Sequence, residues 1–308
     1  MADPVADFRA VSRELSGGDR IDTDEPIMLT GRQRHSFALN GYAIVDDMLS
    51  PAACAELTGQ AYRLIEQADL SEASRFSTTE RSRIDNDYFL GSAETIRCFF
   101  EDGAFDEAGR LSAARERSIN KIGHALHDLD PVFRRLALRP DLGELARSLG
   151  LVEPHIYQSM LIFKQPRIGG EVTWHQDASF FLTEPSSVVT FWFALEEATL
   201  ENGCLWVEPG GHTGPLRERY CREDRSLTMV PLDDRPWPTR EAAQPVPVRA
   251  GSLLVFHGHL PHYSAANRSE RSRLALTFHV VDGRCTYAAD NWLQRARLGP
   301  FLMSRPYS

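Results

Sequence analysis

From Pro154 onwards the chain breaks into short apolar runs separated by Gly, Pro and Asn, and this rhythm restricts the fold more than any other feature. Tyr157 to Phe163, Val188 to Leu195, Cys204 to Val207, Gly251 to Phe256 and Leu274 to Val281 are each of strand length, rich in β-branched and aromatic residues. Short strands joined by loops pair antiparallel and close into a sandwich or jelly roll. The Pro-rich stretch from Asp233 to Pro247 reads as a long connection between two of them.

The first half has a different period. Arg32 to Asn40 reads as a short helix leading into a strand over Gly41 to Val45. Ser50 then caps a helix from Pro51 to about Gln67, with proline at the first helical position. Further helices are predicted at Asn120 to His127, Pro131 to Leu138 and Asp141 to Leu149, the last with Leu142, Leu145, Ala146 and Leu149 in helical spacing. Residues 70 to 117 are mixed and charged, and predict loops and short strands near a substrate entrance. Residues 1 to about 30 are polar without a sustained period and read as a loosely held arm. The expectation is a mainly β protein with N-terminal helices. One domain spans 31–308, with a helical buttress over about 31–150 and a strand-rich core over about 154–285.

A chain of 308 residues that is 42% apolar can bury a sizeable core. Its net charge of −9 gives no overall basic footprint for a phosphate backbone, so nucleic acid is set aside as a partner. No run of eighteen apolar residues and no apolar leader-like segment stands in the sequence, which predicts no membrane span and a cytoplasmic protein. Five scattered cysteines, Cys54, Cys98, Cys204, Cys221 and Cys285, lack C-x-x-C spacing and read as reduced thiols.

The candidate chemistry lies in Trp174-His175-Gln176-Asp177 and, far downstream, in Phe256-His257-Gly258-His259-Leu260-Pro261-His262-Tyr263-Ser264 followed by Arg273. Residues two apart in a strand share a face, so His175 and Asp177 can hold one metal ion. A third imidazole from His257, His259 or His262 would complete two histidines and a carboxylate with open positions opposite, the ligand set of non-haem Fe(II) oxygenases. Spacing does not select among those three histidines. A lone H-x-D is otherwise more often a surface hydrogen-bonding pair than a metal site. Arg273 opens an apolar strand and needs an anion, either a bound carboxylate or an internal Asp or Glu. Lys121, in Ser118-Ile119-Asn120-Lys121-Ile122-Gly123-His124, reads on its own as a solvated lysine at the start of a helix. Trp192, between Phe191 and Phe193, reads as core packing, and Asn202-Gly203 as a tight hairpin turn.

These strings resemble the phytanoyl-CoA dioxygenase family of Fe(II)- and 2-oxoglutarate-dependent oxygenases. The resemblance rests on His175-Gln176-Asp177, on Asn202-Gly203-Cys204 leading to Pro209-Gly210-Gly211-His212, on His262-x-Ser264 with Arg273, and on Ser118 to His127 and Phe163-Lys164-Gln165-Pro166. It implies a double-stranded β-helix, a cupin-like jelly roll. It makes His175, Asp177 and His262 the iron ligands, and leaves His257 and His259 as neighbours. It implies that Arg273, helped by Ser264, holds the distal carboxylate of 2-oxoglutarate, while Lys121, Met160, Gln176 and Trp192 line the cosubstrate pocket. Trp174 before the first ligand and Gly211, where a serine is common, depart from the family's pattern.

The implied reaction consumes O2 and 2-oxoglutarate, releases succinate and CO2, and oxidises a C–H bond of a small organic substrate. Hydroxylation is the default outcome, because Asp177 fills the position that related halogenases leave as Ala or Gly. Desaturation, epoxidation, cyclisation and epimerisation use the same chemistry with a different substrate placement. A non-catalytic sensor of metal and 2-oxoglutarate, and a zinc hydrolase on the same three ligands, are the readings from other classes; the second has no use for Arg273. An acyl-CoA substrate would need basic groups near the entrance, for which Arg75, Arg81, Arg83, Arg97, Arg115 and Arg117 are the candidates.

Overall fold

The computed structural model describes residues 29–71, 73–76 and 86–303. The expected N-terminal arm, and Arg81 and Arg83, lie outside these residues. Helix α1 (Gly31–Asn40) is closed by a capping box, with Thr30 accepting from the Gln33 amide. It feeds β1 (Tyr42–Val45), and α2 (Pro51–Gln67) follows behind Ser50 as its cap. Next come β2 (Arg75–Phe76), α3 (Asn86–Gly91), β3 (Ile96–Glu101) and β4 (Ile119–His124). Short helices α4 (Leu126–Leu129), α5 (Pro131–Ala137) and α6 (Pro140–Ser148) complete the first half. The second half holds β5 (Pro154–Lys164), β6 (Val172–His175), β7 (Thr183–Glu184), β8 (Val189–Ala194), β9 (Leu205–Val207), β10 (Glu218–Glu223) and β11 (Ser226–Pro231). It ends with β12 (Gln244–Val246), β13 (Leu253–His257), β14 (His262–Ser264), β15 (Arg273–Asp282), β16 (Thr286–Tyr287) and β17 (Phe301–Leu302).

Two sheets form the body. The larger runs β1-β13-β8-β15-β5-β4-β3-β2, with β17 also on β5, and the smaller runs β12-β9-β14-β6. They face one another as a jelly roll, and strand alternation sorts the side chains between the two sides of the larger sheet. On β13, Leu253 and Val255 pack under the helices with Leu57, Ala61, Phe133 and Leu145, while Leu254 and Phe256 join Trp192, Leu205, Trp206 and Tyr263 between the sheets. The same alternation on β15 sends Leu274, Leu276 and Phe278 to the helical side. Its odd positions, from Arg273 to His279, therefore face the space between the sheets. No helix among the described residues is long and apolar enough to cross a membrane.

Two local expectations are corrected. The segment expected as a helix over Asn120 to His127 is strand as far as His124, within β4 and paired with β3 and β5, and only Leu126 and His127 are helical, at the start of α4. A register shift on β3, where Phe99 faces Lys121 but Phe100 faces Ile119, leaves Asn120 as an extra residue and resets the alternation. The Asn202-Gly203 turn has its positive φ at Gly203, 93°, but it does not close a hairpin. β8 belongs to the larger sheet and β9 to the smaller, so the turn carries the chain across the sandwich. Asn202 braces that crossing by donating to the Glu197 and Ser272 carbonyls. The cysteines are free, three of them buried.

Candidate metal centre and cosubstrate chamber

β6 and β14 are antiparallel neighbours, and their register sets His175 directly opposite His262. The rings lie 4.1 Å apart between centroids. Gln176 is extended (φ −123°, ψ 132°), so His175 and Asp177 emerge on the same side although β6 has ended. One nitrogen from each histidine and one Asp177 oxygen lie within 4.8 Å of one another. Asp177 Oδ1 is 3.6 Å from His175 Nε2 and 3.8 Å from His262 Nε2.

Tautomers follow from the outer hydrogen bonds. His175 Nδ1 lies 2.8 Å from the Thr173 carbonyl and His262 Nδ1 3.0 Å from that of Leu260. A carbonyl only accepts, so each Nδ1 carries a proton and Nε2 is the ring nitrogen turned towards Asp177. Burial drives the His175 pKa down to about 4, with His262 adding to the effect. For Asp177, burial pushes the carboxyl up, but His279, His262 and His175 together outweigh it and hold the group well below the usual carboxylate range. Two imidazole nitrogens and a carboxylate converge, and this donor set fits a cation. The second carboxylate oxygen, Oδ2, accepts from Thr190 Oγ1 at 2.5 Å and lies 3.4 Å from His279 Nε2.

Two chambers adjoin the triad. The smaller, about 60 Å³, is bordered by Met160, Trp192, Thr190, Ser264, Arg273, Thr277 and His279. Arg273 is 1% exposed, yet its Nε and Nη1 have no hydrogen-bond partner among the described residues, and neither has Ser264 Oγ. Its guanidinium lies 5.5 Å from the Trp192 ring centre, and burial lowers its pKa to about 10. Two buried guanidinium nitrogens left unpaired near an unpaired hydroxyl fit a bound carboxylate. The larger chamber, about 170 Å³, is bordered by aromatic and apolar side chains including Phe89, Phe180, Tyr220, Met229 and Trp292, with Lys121, His124 and Gln158 among them.

Of the residues expected around the cosubstrate, Trp192, Ser264 and Arg273 border the smaller chamber and Met160 borders both. Lys121 is buried on β4, but it borders the larger chamber and not the smaller. Gln176 departs from the expectation and borders neither. Lying between two residues that share a side, it points the other way: it donates to the Pro215 and His259 carbonyls and accepts from the Arg217 amide. His257 and His259 stand apart from the triad, the His259 amide donating to His257 Nδ1 and the His259 ring lying 3.0 Å from Ser186 Oγ. Thr190 and His279 were not anticipated. Counting by twos from Arg273 along β15 reaches Thr277 and His279 and would have found the second of them. Of the basic candidates for an acyl-CoA, Arg97 donates to the Tyr88 carbonyl and Arg115 to those of Ile65 and Ala68, so both hold the fold together.

A jelly roll that gathers two histidines and one carboxylate beside an unpaired buried arginine defines the class of non-haem iron, 2-oxoglutarate-dependent dioxygenases. Residues 37–275 match the family model described as phytanoyl-CoA dioxygenase. The chain belongs to that family. It is 43% identical over 273 residues to a phytanoyl-CoA dioxygenase of Arabidopsis thaliana, covering 88% of this chain and 95% of that one. It is also 43% identical over 285 residues to phytanoyl-CoA dioxygenase domain-containing protein 1 of Bos taurus, covering 89% and 97%. Among solved structures, the fold is similar to a non-haem α-ketoglutarate-dependent carbocyclase from nogalamycin biosynthesis, with TM-score 0.61, 18% identity and 91% and 100% of the two chains covered. It is likewise similar to an epimerase from the same biosynthesis, solved with Fe3+, α-ketoglutarate and nogalamycin RO, with TM-score 0.60, 20% identity and coverage of 90% and 94%.

Proposed function

We propose that this dioxygenase hydroxylates an unactivated C–H bond of a compact organic molecule seated in the larger chamber, and that the smaller chamber holds 2-oxoglutarate. His175, Asp177 and His262 are the iron ligands. When bound, iron, 2-oxoglutarate and O2 supply the oxidising chemistry, with succinate and CO2 as the released products. The rest is the work of the chain's own side chains. Arg273 and Ser264 bind the distal carboxylate of 2-oxoglutarate, and Trp192 and Met160 wall the chamber against water. The Thr173 and Leu260 carbonyls keep the two imidazoles in the metal-binding tautomer. Asp177 occupies the third ligand position, which favours hydroxylation over halogenation.

One observation carries the reading: Arg273 is buried beside the triad, and its Nε and Nη1 have no hydrogen-bond partner among the described residues. An unmatched buried guanidinium is costly unless a ligand answers it. Calorimetric titration of anaerobic Fe(II)-loaded protein with 2-oxoglutarate tests it. Arg273→Ala is expected to weaken binding by a factor of about 100, corresponding to two charge-assisted hydrogen bonds. Equal affinity in wild type and variant would contradict the assignment.

A further inference from the structure

The larger chamber carries a polar group that nothing in the metal or cosubstrate chemistry uses. His124, at the end of β4, is fully buried and borders this chamber, with its ring packed against Phe89, Phe99 and Trp292 at 5.5, 5.8 and 5.1 Å between centroids. Its Nδ1 lies 2.7 Å from Ser92 Oγ, and that hydroxyl lies 2.5 Å from the Phe89 carbonyl. A carbonyl only accepts, so the single hydroxyl proton of Ser92 goes to Phe89. Ser92 Oγ therefore accepts from His124, and the imidazole proton is on Nδ1. Burial drives the pKa of His124 well below its ordinary value, so the ring carries no second proton. Nε2 is left as a lone-pair acceptor without a hydrogen-bond partner among the described residues.

We propose that His124 Nε2 is a specificity-determining acceptor, and that the substrate is a compact, largely apolar molecule already bearing a hydroxyl group, which it donates to that nitrogen. A buried acceptor left unpaired costs free energy that a donor on the ligand recovers, which makes the position selective. The aromatic walls suit an apolar body. A neutral hydroxyl fits better than an ammonium, because Asp177 is the one carboxylate among the described residues of the wall, and it is committed to the metal. This inference rests on the larger chamber being the substrate side of the enzyme proposed above.

The test uses the protein loaded with Zn(II), which does not turn over, and with 2-oxoglutarate. Met160 and Met229 border the chamber, so 13C-methyl methionine spectra report its occupancy. Affinities are measured for benzyl alcohol, for ethylbenzene, which replaces the hydroxyl by a methyl group, and for benzylamine. The ratio of alcohol to hydrocarbon affinity is expected to fall about tenfold from wild type to His124→Phe, and to be restored in His124→Gln, whose amide oxygen accepts. Imidazole 15N spectra of the wild type, which do not depend on any variant folding, are expected to place the proton on Nδ1 and to shift Nε2 when benzyl alcohol binds. An unchanged ratio in His124→Phe, a proton on Nε2, or no binding of the alcohol would overturn the proposal. A His124-dependent preference for benzylamine would overturn the choice of a neutral alcohol. Failure of the same samples to bind Zn(II) or 2-oxoglutarate would count against the preceding reading instead, and the 15N result would still decide the tautomer.

Discussion

The two oxygens of Asp177 have different neighbours, and that difference determines how the side chain meets a metal. Oδ1 looks towards both Nε2 atoms, while Oδ2 is taken by Thr190 and faces His279. A carboxylate held in this way would offer a metal one oxygen, with the other kept by Thr190. Thr190→Val keeps the shape and removes the donor. It is expected to weaken Fe(II) binding by about tenfold in an anaerobic titration, with the fold retained. Unchanged affinity would mean that Thr190 does not orient the ligand. At this scale much of the site was legible in the sequence, because the spacing of His175 and Asp177 encodes a shared side. The choice of His262 over its neighbours needed the resemblance, since it depends on the β6–β14 register, and the roles of Thr190 and His279 depend on strands distant in sequence.

At the level of elements, the turn between β8 and β9 links the fold to the cosubstrate chamber. Gly203 has φ of +93°, and a Cβ there would lie 2.7 Å from Lys164 Cδ and 2.8 Å from the Ala265 carbonyl. Lys164 in turn donates to the Ser264 carbonyl at 3.2 Å. Gly203→Ala is expected to lower stability by about 1–3 kcal/mol in denaturant unfolding, from the left-handed backbone together with overpacking, and to weaken 2-oxoglutarate binding through Ser264. Loss of stability with full affinity would separate the turn from the chamber. Elements with a local signal read correctly from the sequence: the Ser50-capped α2 and the strands β5, β8 and β15 fall close to their expected spans. β4 did not, because its bulge interrupts the strand alternation and only pairing with β3 and β5 reveals it. The crossing after Asn202 has the same cause: an Asn-Gly turn reports its own φ but not which sheet the chain enters next.

Taken as a whole, the molecule keeps several histidines neutral in its interior. His175 and His257 are brought down to about 4, and His124 and His127 well below their ordinary value, each mainly by burial. In the unfolded chain the same groups take protons near pH 6.5. Below that pH the unfolded state binds more protons than the folded one, so stability falls as pH drops through 6.5 towards 4 and is fully present above this range. The thermal midpoint of the metal-free protein is expected to be level above about pH 7 and to fall steadily below about 6.5. A flat profile down to pH 4.5 would contradict the neutral interior. The jelly roll itself was visible in the strand rhythm of the second half, whereas the two chambers exist only once both sheets and the β3–β4 ribbon are assembled around the triad.

The most direct test of the central claim is succinate formation from 2-oxoglutarate on admitting O2 to anaerobic Fe(II)-loaded protein, for wild type and Asp177→Ala, with hydroxyl-bearing apolar compounds as candidate substrates. The account predicts succinate from wild type, increased by a compound that fits the larger chamber, and none above background from Asp177→Ala. Equal succinate from both proteins, or wild type that binds Fe(II) and 2-oxoglutarate yet forms none with any compound, would contradict it.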